Sequence, residues 1–313
     1  MGKSVITSAV PFGKVQYQKE LRQISLVRDV VFKNLMEGYM PLPVDKSACS
    51  KWTKVIPNSG ETILYTSYMY QLGSVFKSYA KLLERFAGVK FASRLTFLGS
   101  LVVRPKKNEL KRASLILNNI ASLLNESGIQ FAYLYDEEPY SGALLLELGL
   151  LDEFSAYGRK LLRFFHERGI KRVITVDPHT FNALQRLRTM LNDGPEVTNY
   201  LQLVHPRRGK GRFVMHDSCL YSRYLGMGAQ VRMIAQDAGV TLVEDRMVTA
   251  QDTSTCCGAP VESINEGLSE KIARERATKL LSVCKEVLVA CPLCYQNLSP
   301  YVKSVRDLAE VIS

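Results

Sequence analysis

The sequence predicts an α/β protein built of two similar tandem units, each a small parallel sheet flanked by helices, preceded by a basic helical N-terminal arm. Three observations predict it. From Thr62 onward short β-rich runs alternate with longer helical patterns, the order that gives parallel sheets covered by helices. The two halves resemble each other: Lys171-Arg-Val-Ile-Thr-Val-Asp-Pro-His-Thr lies alongside Lys285-Glu-Val-Leu-Val-Ala-Cys-Pro-Leu-Cys, and the pattern of Glu196–Val204 returns in Ser304–Ile312. The chain of 313 residues is also about twice the usual single-domain length. The basic run Pro-Arg-Arg-Gly-Lys-Gly-Arg at 206–212 reads as a linker, so the expected division is an arm over 1–60 and units over 61–205 and 211–313.

The elements follow in order. In the arm, Leu21, Ile24, Val27, Val30 and Val31 fall near helical spacing. They predict an amphipathic helix that packs on the body of the protein or on a partner. Its Lys19, Arg22, Arg28 and Lys33 leave a membrane-surface helix as the other reading. Met40-Pro-Leu-Pro ends the pattern. Strands are expected over 62–66, 131–135 and 172–176 in the first unit and over 212–216, 240–244 and 286–290 in the second. Helices are expected over 110–127, 152–168, 231–238 and 263–285.

With 46% hydrophobic and 23% charged residues the chain has the composition of a globular protein with a full core. Its apolar stretches, at 142–146 and 96–103, fall far short of the roughly 20 residues that a spanning helix needs. The start, Met-Gly-Lys-Ser-Val-Ile-Thr-Ser-Ala-Val-Pro, has too short an apolar region for a signal peptide. Together with paired cysteines suited to a reducing interior, this leads to the expectation of a cytoplasmic protein, free or peripheral on the inner face of the membrane. A net charge of +11, from 41 basic and 30 acidic residues, suits acidic partners or anionic lipid. Nucleic acid is not expected, because the 206–212 run has no interleaved aromatic residues.

The cysteines carry the functional signal. Six of seven lie in the last third, and five of these form the pattern C-x36-CCG-x33-CPxC: Cys219, Cys256, Cys257, Cys291 and Cys294. Each piece follows a predicted strand, and loops at the carboxyl ends of parallel strands converge on one edge where ligands bind. Pro292 suits the first turn of a helix, which would place Cys291 and Cys294 at its amino end, and Gly258 is expected to allow a sharp turn and leave room for inorganic sulfide. Three chemistries use such residues: a dithiol redox pair, a tetrahedral zinc site and an iron–sulfur cluster. Five cysteines exceed what one zinc takes. Cys49 and Cys284 fall outside the pattern and read as packed thiols. His216 is expected to be structural or to hydrogen-bond sulfur, and His179 with Asp177 would make only a weak metal site.

The pattern resembles the cysteine-rich CCG domain of the B and D components of heterodisulfide reductase, of the E-type succinate:quinone reductase subunit, and of the iron–sulfur subunits of glycolate and lactate dehydrogenases. His216-Asp217-Ser218-Cys219 is similar to that family's His-Asp-Pro-Cys, and Asp136-Glu-Glu-Pro-Tyr-Ser-Gly142 to its Asp-Glu-Pro-Cys-Cys-Gly. The resemblance implies a [4Fe-4S] cluster, non-cubane in heterodisulfide reductase, held by Cys219, Cys256, Cys257, Cys291 and Cys294. It also implies that the first unit holds none, because Tyr140-Ser141, Asp177 and Thr180 stand at cysteine positions, with Ser67 or Tyr68 at the place of the first cysteine. No ferredoxin motif and no dinucleotide or phosphate-binding loop is present. A ferredoxin-like iron–sulfur subunit and a flavoprotein subunit are therefore the implied partners, with flavin on the partner only and a quinone or a thiol/disulfide as terminal substrate. The expected function is an iron–sulfur electron-transfer subunit of a multisubunit flavin-linked oxidoreductase, inactive alone. The alternative is a non-redox scaffold or membrane-anchoring subunit with a structural zinc site.

Overall fold

The computed structural model describes residues 11–86 and 105–313; residues 1–10 and the apolar run at 96–103 lie outside the described residues. Strands β1 (Thr62–Tyr65), β2 (Arg172–Thr175) and β3 (Glu196–Asn199) form one sheet. Strands β4 (Arg212–Met215), β5 (Thr241–Leu242), β6 (Glu286–Val289) and β7 (Ser304–Asp307) form a second, in the order β5-β4-β6-β7. Every pairing is parallel. In the first sheet Ala132 bridges Ile63 in parallel, in the edge place that β5 takes beside β4, so the two sheets share one strand order. The expected α/β architecture of two small parallel sheets with helical cover and a helical N-terminal region is present.

Two expected strands are short, and local chemistry explains both. The 131–135 run is stopped by Tyr135, whose φ of 55° begins a single 3-10 turn over Tyr135–Glu137. The 240–244 run is cut by Asp245, whose Oδ1 accepts from the backbone of Met247 and Val248 in a side-chain-supported turn.

The helices are α1 (Pro11–Gly38), α2 (Lys46–Ser50), α3 (Met69–Phe86), α4 (Lys107–Glu126), α5 (Ala143–Glu147), α6 (Leu151–Glu167), α7 (Pro178–Leu191), α8 (Gly228–Asp237), α9 (Glu266–Val283) and α10 (Pro292–Leu298). No described helix is long and apolar enough to cross a membrane. In α1, Val27, Val30, Val31 and Leu35 are buried, whereas Leu21 is exposed and Ile24 half-buried, so the stripe faces the body of the protein from Val27 onward and not at Leu21. Lys160 of α6 donates to the carbonyls of Leu35 and Met36 at 3.2 and 2.6 Å in the last turn of α1, where Leu35 O also accepts from Tyr39 N, and so adds to the capping of the helix end. One continuous apolar core runs from Val27 through both sheets to Ile312, and a smaller one gathers around Cys257, Cys291 and Cys294. The 206–212 run is tied to its surroundings: Arg207 N donates to Ile312 O and Gly209 N to Ala238 O.

Several contacts bind the two sheet units together. Tyr70 of α3 donates to Asp307 Oδ2 at 3.1 Å, Tyr221 to Asn199 Oδ1 at 3.2 Å, and Arg112 of α4 pairs with Glu310 at 2.9 Å. Helix α3 reaches α10 at Gly73, where an added Cβ would meet Gln296 Cγ at 2.9 Å.

The first unit also buries a carboxyl. Glu138 accepts from Thr66 Oγ1 and from the backbone of Ser67. Burial nevertheless pushes its pKa up to about 8, against the lowering effect of these hydrogen bonds. The folded chain thus holds a proton on Glu138 that the unfolded chain releases near the ordinary carboxyl pKa of about 4.3. This contribution to stability is full below the unfolded value and is lost as pH rises towards the folded one, by up to about 1.4 kcal/mol per pH unit. Glu138→Gln should therefore flatten the decline in thermal midpoint between pH 5 and 8. A variant that declines as the parent does would show that Glu138 does not carry this dependence.

Candidate metal centre

The five patterned cysteines sit where three loops leave the carboxyl ends of β4, β5 and β6, as the alternation of elements predicts. Cys219 ends the loop His216–Cys219 and starts a single π-helical turn over Leu220–Tyr224. Cys256 and Cys257 follow β5, and Gly258, with φ of 88°, turns the chain into a 3-10 turn over Ala259–Val261. Cys291 is the N-cap of α10, Pro292 opens its first turn and Cys294 follows on it. All five are free thiols. Cys257, Cys291 and Cys294 are buried, while Cys219 and Cys256 are partly exposed.

The sulfurs converge. Cys257 Sγ lies 3.4 Å from Cys294 Sγ, and Cys256 Sγ lies 4.0 Å from Cys219 Sγ. The backbone N–H of Gly258 donates to Cys256 Sγ at 3.3 Å. The turn at Gly258 is as expected, but its bare Cα makes room elsewhere: a Cβ there would meet Ser269 O at 2.8 Å, so it admits α9 rather than a ligand atom. Ser269 and Asn297, which sequence reasoning did not single out, hold this loop. Ser269 Oγ donates to Gly258 O at 2.9 Å, and Asn297 Nδ2 donates to Cys257 O and to Ser269 Oγ, both at 3.0 Å.

The proton affinities of the five thiols diverge. Hydrogen bonds from Cys219 and Cys257, aided by Gly258 N–H, hold Cys256 down to about 2. Burial opposes ionisation of Cys291, but Cys294 and the charge of His179 overcome it and hold the thiol well below its ordinary value. Hydrogen bonding to these neighbours, together with burial, pushes Cys219, Cys257 and Cys294 up. Five sulfurs sharing protons in this way form a donor set that gives them up to a cation.

Two histidines flank the sulfurs. His216 is fully buried, and burial followed by the charge of Arg276 lowers its pKa to about 3, so the ring is neutral. Arg276 Nε donates to its Nδ1 at 3.0 Å, which places the ring proton on Nε2. Among the described residues that Nε2 has no hydrogen-bond partner. A ring nitrogen of His216 and the sulfurs of Cys257 and Cys294 lie within 4.8 Å of one another. His179 arrives from the other unit, on α7. Its Nε2 lies 3.2 Å from Cys291 Sγ and its Nδ1 lies 2.5 Å from Glu147 Oε1. Burial disfavours its charge, but Glu147 and Cys291 raise its pKa well above the ordinary value. Asp177 does not join His179 in a metal site: it caps α7, accepting from the backbone of His179 and Thr180.

The remaining positions fall away from the sulfurs. Cys49 is buried on α2, where burial pushes its thiol up to about 12. Cys284 lies after α9 with its sulfur 3.6 Å from Arg212 O. In the first unit, Ser67 Oγ and Ser141 Oγ hydrogen-bond at 2.9 Å, and Tyr68 and Tyr140 are buried. The strand ladders, in which Ile63 pairs with Val173 and Val214 with Val287, place Tyr68 rather than Ser67 at the position of Cys219.

Residues 213–299 match the family model described as the CCG cysteine-rich domain. Over 221 residues the chain is 27% identical to the EtfAB:quinone oxidoreductase of Syntrophomonas wolfei, covering 62% of this chain and 31% of that protein. Over 207 residues it is 28% identical to the "Probable iron-sulfur-binding oxidoreductase FadF" of Bacillus subtilis, covering 62% and 29%. Over 217 residues it is 26% identical to a component of the dihydromethanophenazine:CoB–CoM heterodisulfide reductase of Methanosarcina barkeri, covering 61% and 53%. The chain thus spans about a third of the first two relatives and about half of the third.

Proposed function

We propose, on the premise that residues 213–299 are a CCG cysteine-rich domain, that this chain is an iron–sulfur electron-transfer subunit of an oxidoreductase. The observation that carries the reading is the meeting of five free cysteines beside a buried, unpartnered His216 Nε2–H. In this reading Cys219, Cys256, Cys257, Cys291 and Cys294 hold one [4Fe-4S] cluster, and the first unit holds none. An anionic sulfur at the centre would accept the His216 proton, which the thiols alone leave without an acceptor. When bound, the cluster supplies a one-electron redox couple.

The residues of the chain divide the remaining work. Cys257, Cys291 and Cys294 are buried, whereas Cys219 and Cys256 are partly exposed, so the latter pair marks the edge for electron entry or exit. His179 and His216 offer N–H groups that stabilise added negative charge on sulfur, and Glu147 orients His179. A flavoprotein and a ferredoxin-like subunit are the electron partners that fit a chain without its own flavin motif, and the +11 charge suits their acidic faces.

The test is a redox titration of the anaerobically purified chain. A visible or paramagnetic signal that appears and disappears reversibly with one electron supports the function; a protein that takes up no electron refutes it. His179→Gln should lower the midpoint potential, because a charged donor to a ligand sulfur is worth about 1.5–3 kcal/mol, or roughly 65–130 mV for one electron. An unchanged midpoint would show that His179 acts only in packing.

A further inference from the structure

Arg276, on α9, is a buried cation, 2% exposed. A guanidinium keeps its proton in a protein, and a charge taken out of water needs an opposite charge beside it. Among the described residues Arg276 makes no ion pair, and its buried Nη2 has no hydrogen-bond partner. Its other donors go to neutral groups: Nε to His216 Nδ1 at 3.0 Å and Nη1 to Val248 O at 2.7 Å. These bonds join two of the cysteine-bearing loops, since His216 precedes Cys219 and Val248 lies between β5 and Cys256. Asp217, the first of the anions that favour its charge, is already engaged by Arg232. Next come the sulfurs of Cys294, Cys257 and Cys256. Without metal only Cys256 of these three is held as a thiolate, while Cys257 and Cys294 keep their protons. One thiolate therefore offsets part of the guanidinium charge, and a cation bound at the sulfurs would bring two more by displacing those protons.

We propose that Arg276 is the counter-charge on the buried side of the cysteine site, a positioning residue that steadies the anionic centre and sets its redox potential. It does so by its fixed positive charge and by holding the His216 ring with Nε2–H left for sulfur. The inference deepens the reading of the five cysteines as a redox centre and rests on it. Two buried cations then serve the site from opposite units: His179 at Cys291, and Arg276 behind His216, whose ring nitrogen lies within 4.8 Å of the sulfurs of Cys257 and Cys294. A centre that gains an electron gains negative charge, so a fixed cation beside it favours the reduced state.

Arg276→Gln and Arg276→Lys in the full chain test it. The first removes the charge and keeps an amide donor; the second keeps the charge and loses the planar fork. In a dithionite titration of the iron-loaded protein, Arg276→Gln should lower the equilibrium constant for one-electron reduction by about ten-fold or more, and each ten-fold is 59 mV. Arg276→Lys should shift it by less than half as many millivolts. The thermal midpoint gained on loading iron should also be smaller in Arg276→Gln than in the parent, because part of that gain is the pairing of this charge. A folded, loaded Arg276→Gln with the parent potential, or equal shifts in the two variants, overturns the proposal and leaves the redox reading standing. If both variants unfold without iron, Arg276 is only a packing tie, which also overturns it. If Arg276→Gln folds as the parent does but holds no iron while Arg276→Lys is loaded, the charge is needed for the centre, as proposed. A parent chain that takes up no iron refutes the redox reading, and this inference with it, before any variant is compared.

Discussion

Cys257→Ser should remove nearly all bound iron and the visible absorption with it, while Cys284→Ser should leave both at the level of the parent. Cys257 is one of the three enclosed cysteines of the set. It is 2% exposed, its sulfur lies 3.4 Å from that of Cys294, and its carbonyl is held by Asn297. A hydroxyl there supplies a shorter and harder donor in a pocket shaped for sulfur, where soft thiolate ligands favour iron–sulfur centres. Cys284 lies outside the convergence, with its nearest hydrogen-bond partner the carbonyl of Arg212. Iron measured per chain after anaerobic purification checks the pair. Equal losses in the two variants would mean that the metal is held non-specifically by thiols.

Arg232→Met should destabilise the fold by about 3–5 kcal/mol, the cost of leaving a buried charge without its partner. Arg232 on α8 pairs with Asp217, and both side chains are almost wholly enclosed. Asp217 lies in the loop that delivers Cys219, so this ion pair sets the first cysteine of the site. The thermal midpoint should fall by roughly 5–15 °C, and iron content should fall with it. Adding Asp217→Asn should recover part of the loss, because the stranded charge is then gone. If the double variant is no more stable than Arg232→Met, the effect comes from lost packing of the arginine stem.

Much of the site is legible in the sequence. The alternation of β-rich and helical runs is enough to place Cys219, the Cys256–Cys257 pair and Cys291 at successive strand ends. Parallel strands leave their carboxyl ends on one edge, so their convergence follows from topology. Pro292 after Cys291 marks the start of α10 for a local reason, the fit of proline to a first helical turn. The repeat of 171–180 in 285–294 likewise foretells a strand order common to both sheets.

What escapes the sequence depends on contacts between distant elements. His179 looks like a weak metal candidate beside Asp177, but the partners that matter, Cys291 and Glu147, are 112 and 32 residues away. Asn297 and Ser269 are ordinary polar residues on helices until α9 and α10 close on the Cys257–Gly258 backbone. Helices α3 and α7 are not anticipated because neither opens on an evident amphipathic run: Met69–Gly73 and Pro178–Phe181 are buried at the join between units. For Gly258 the local sequence signals a turn but does not say which neighbour needs the space.

The proposed function requires that Cys219, Cys256, Cys257, Cys291 and Cys294 together hold one iron–sulfur cluster. Iron and acid-labile sulfide, counted per chain after purification without oxygen, test it most directly. About four of each are expected, in a protein that is coloured and folded. A folded chain carrying one zinc and no sulfide, or no metal, would contradict it.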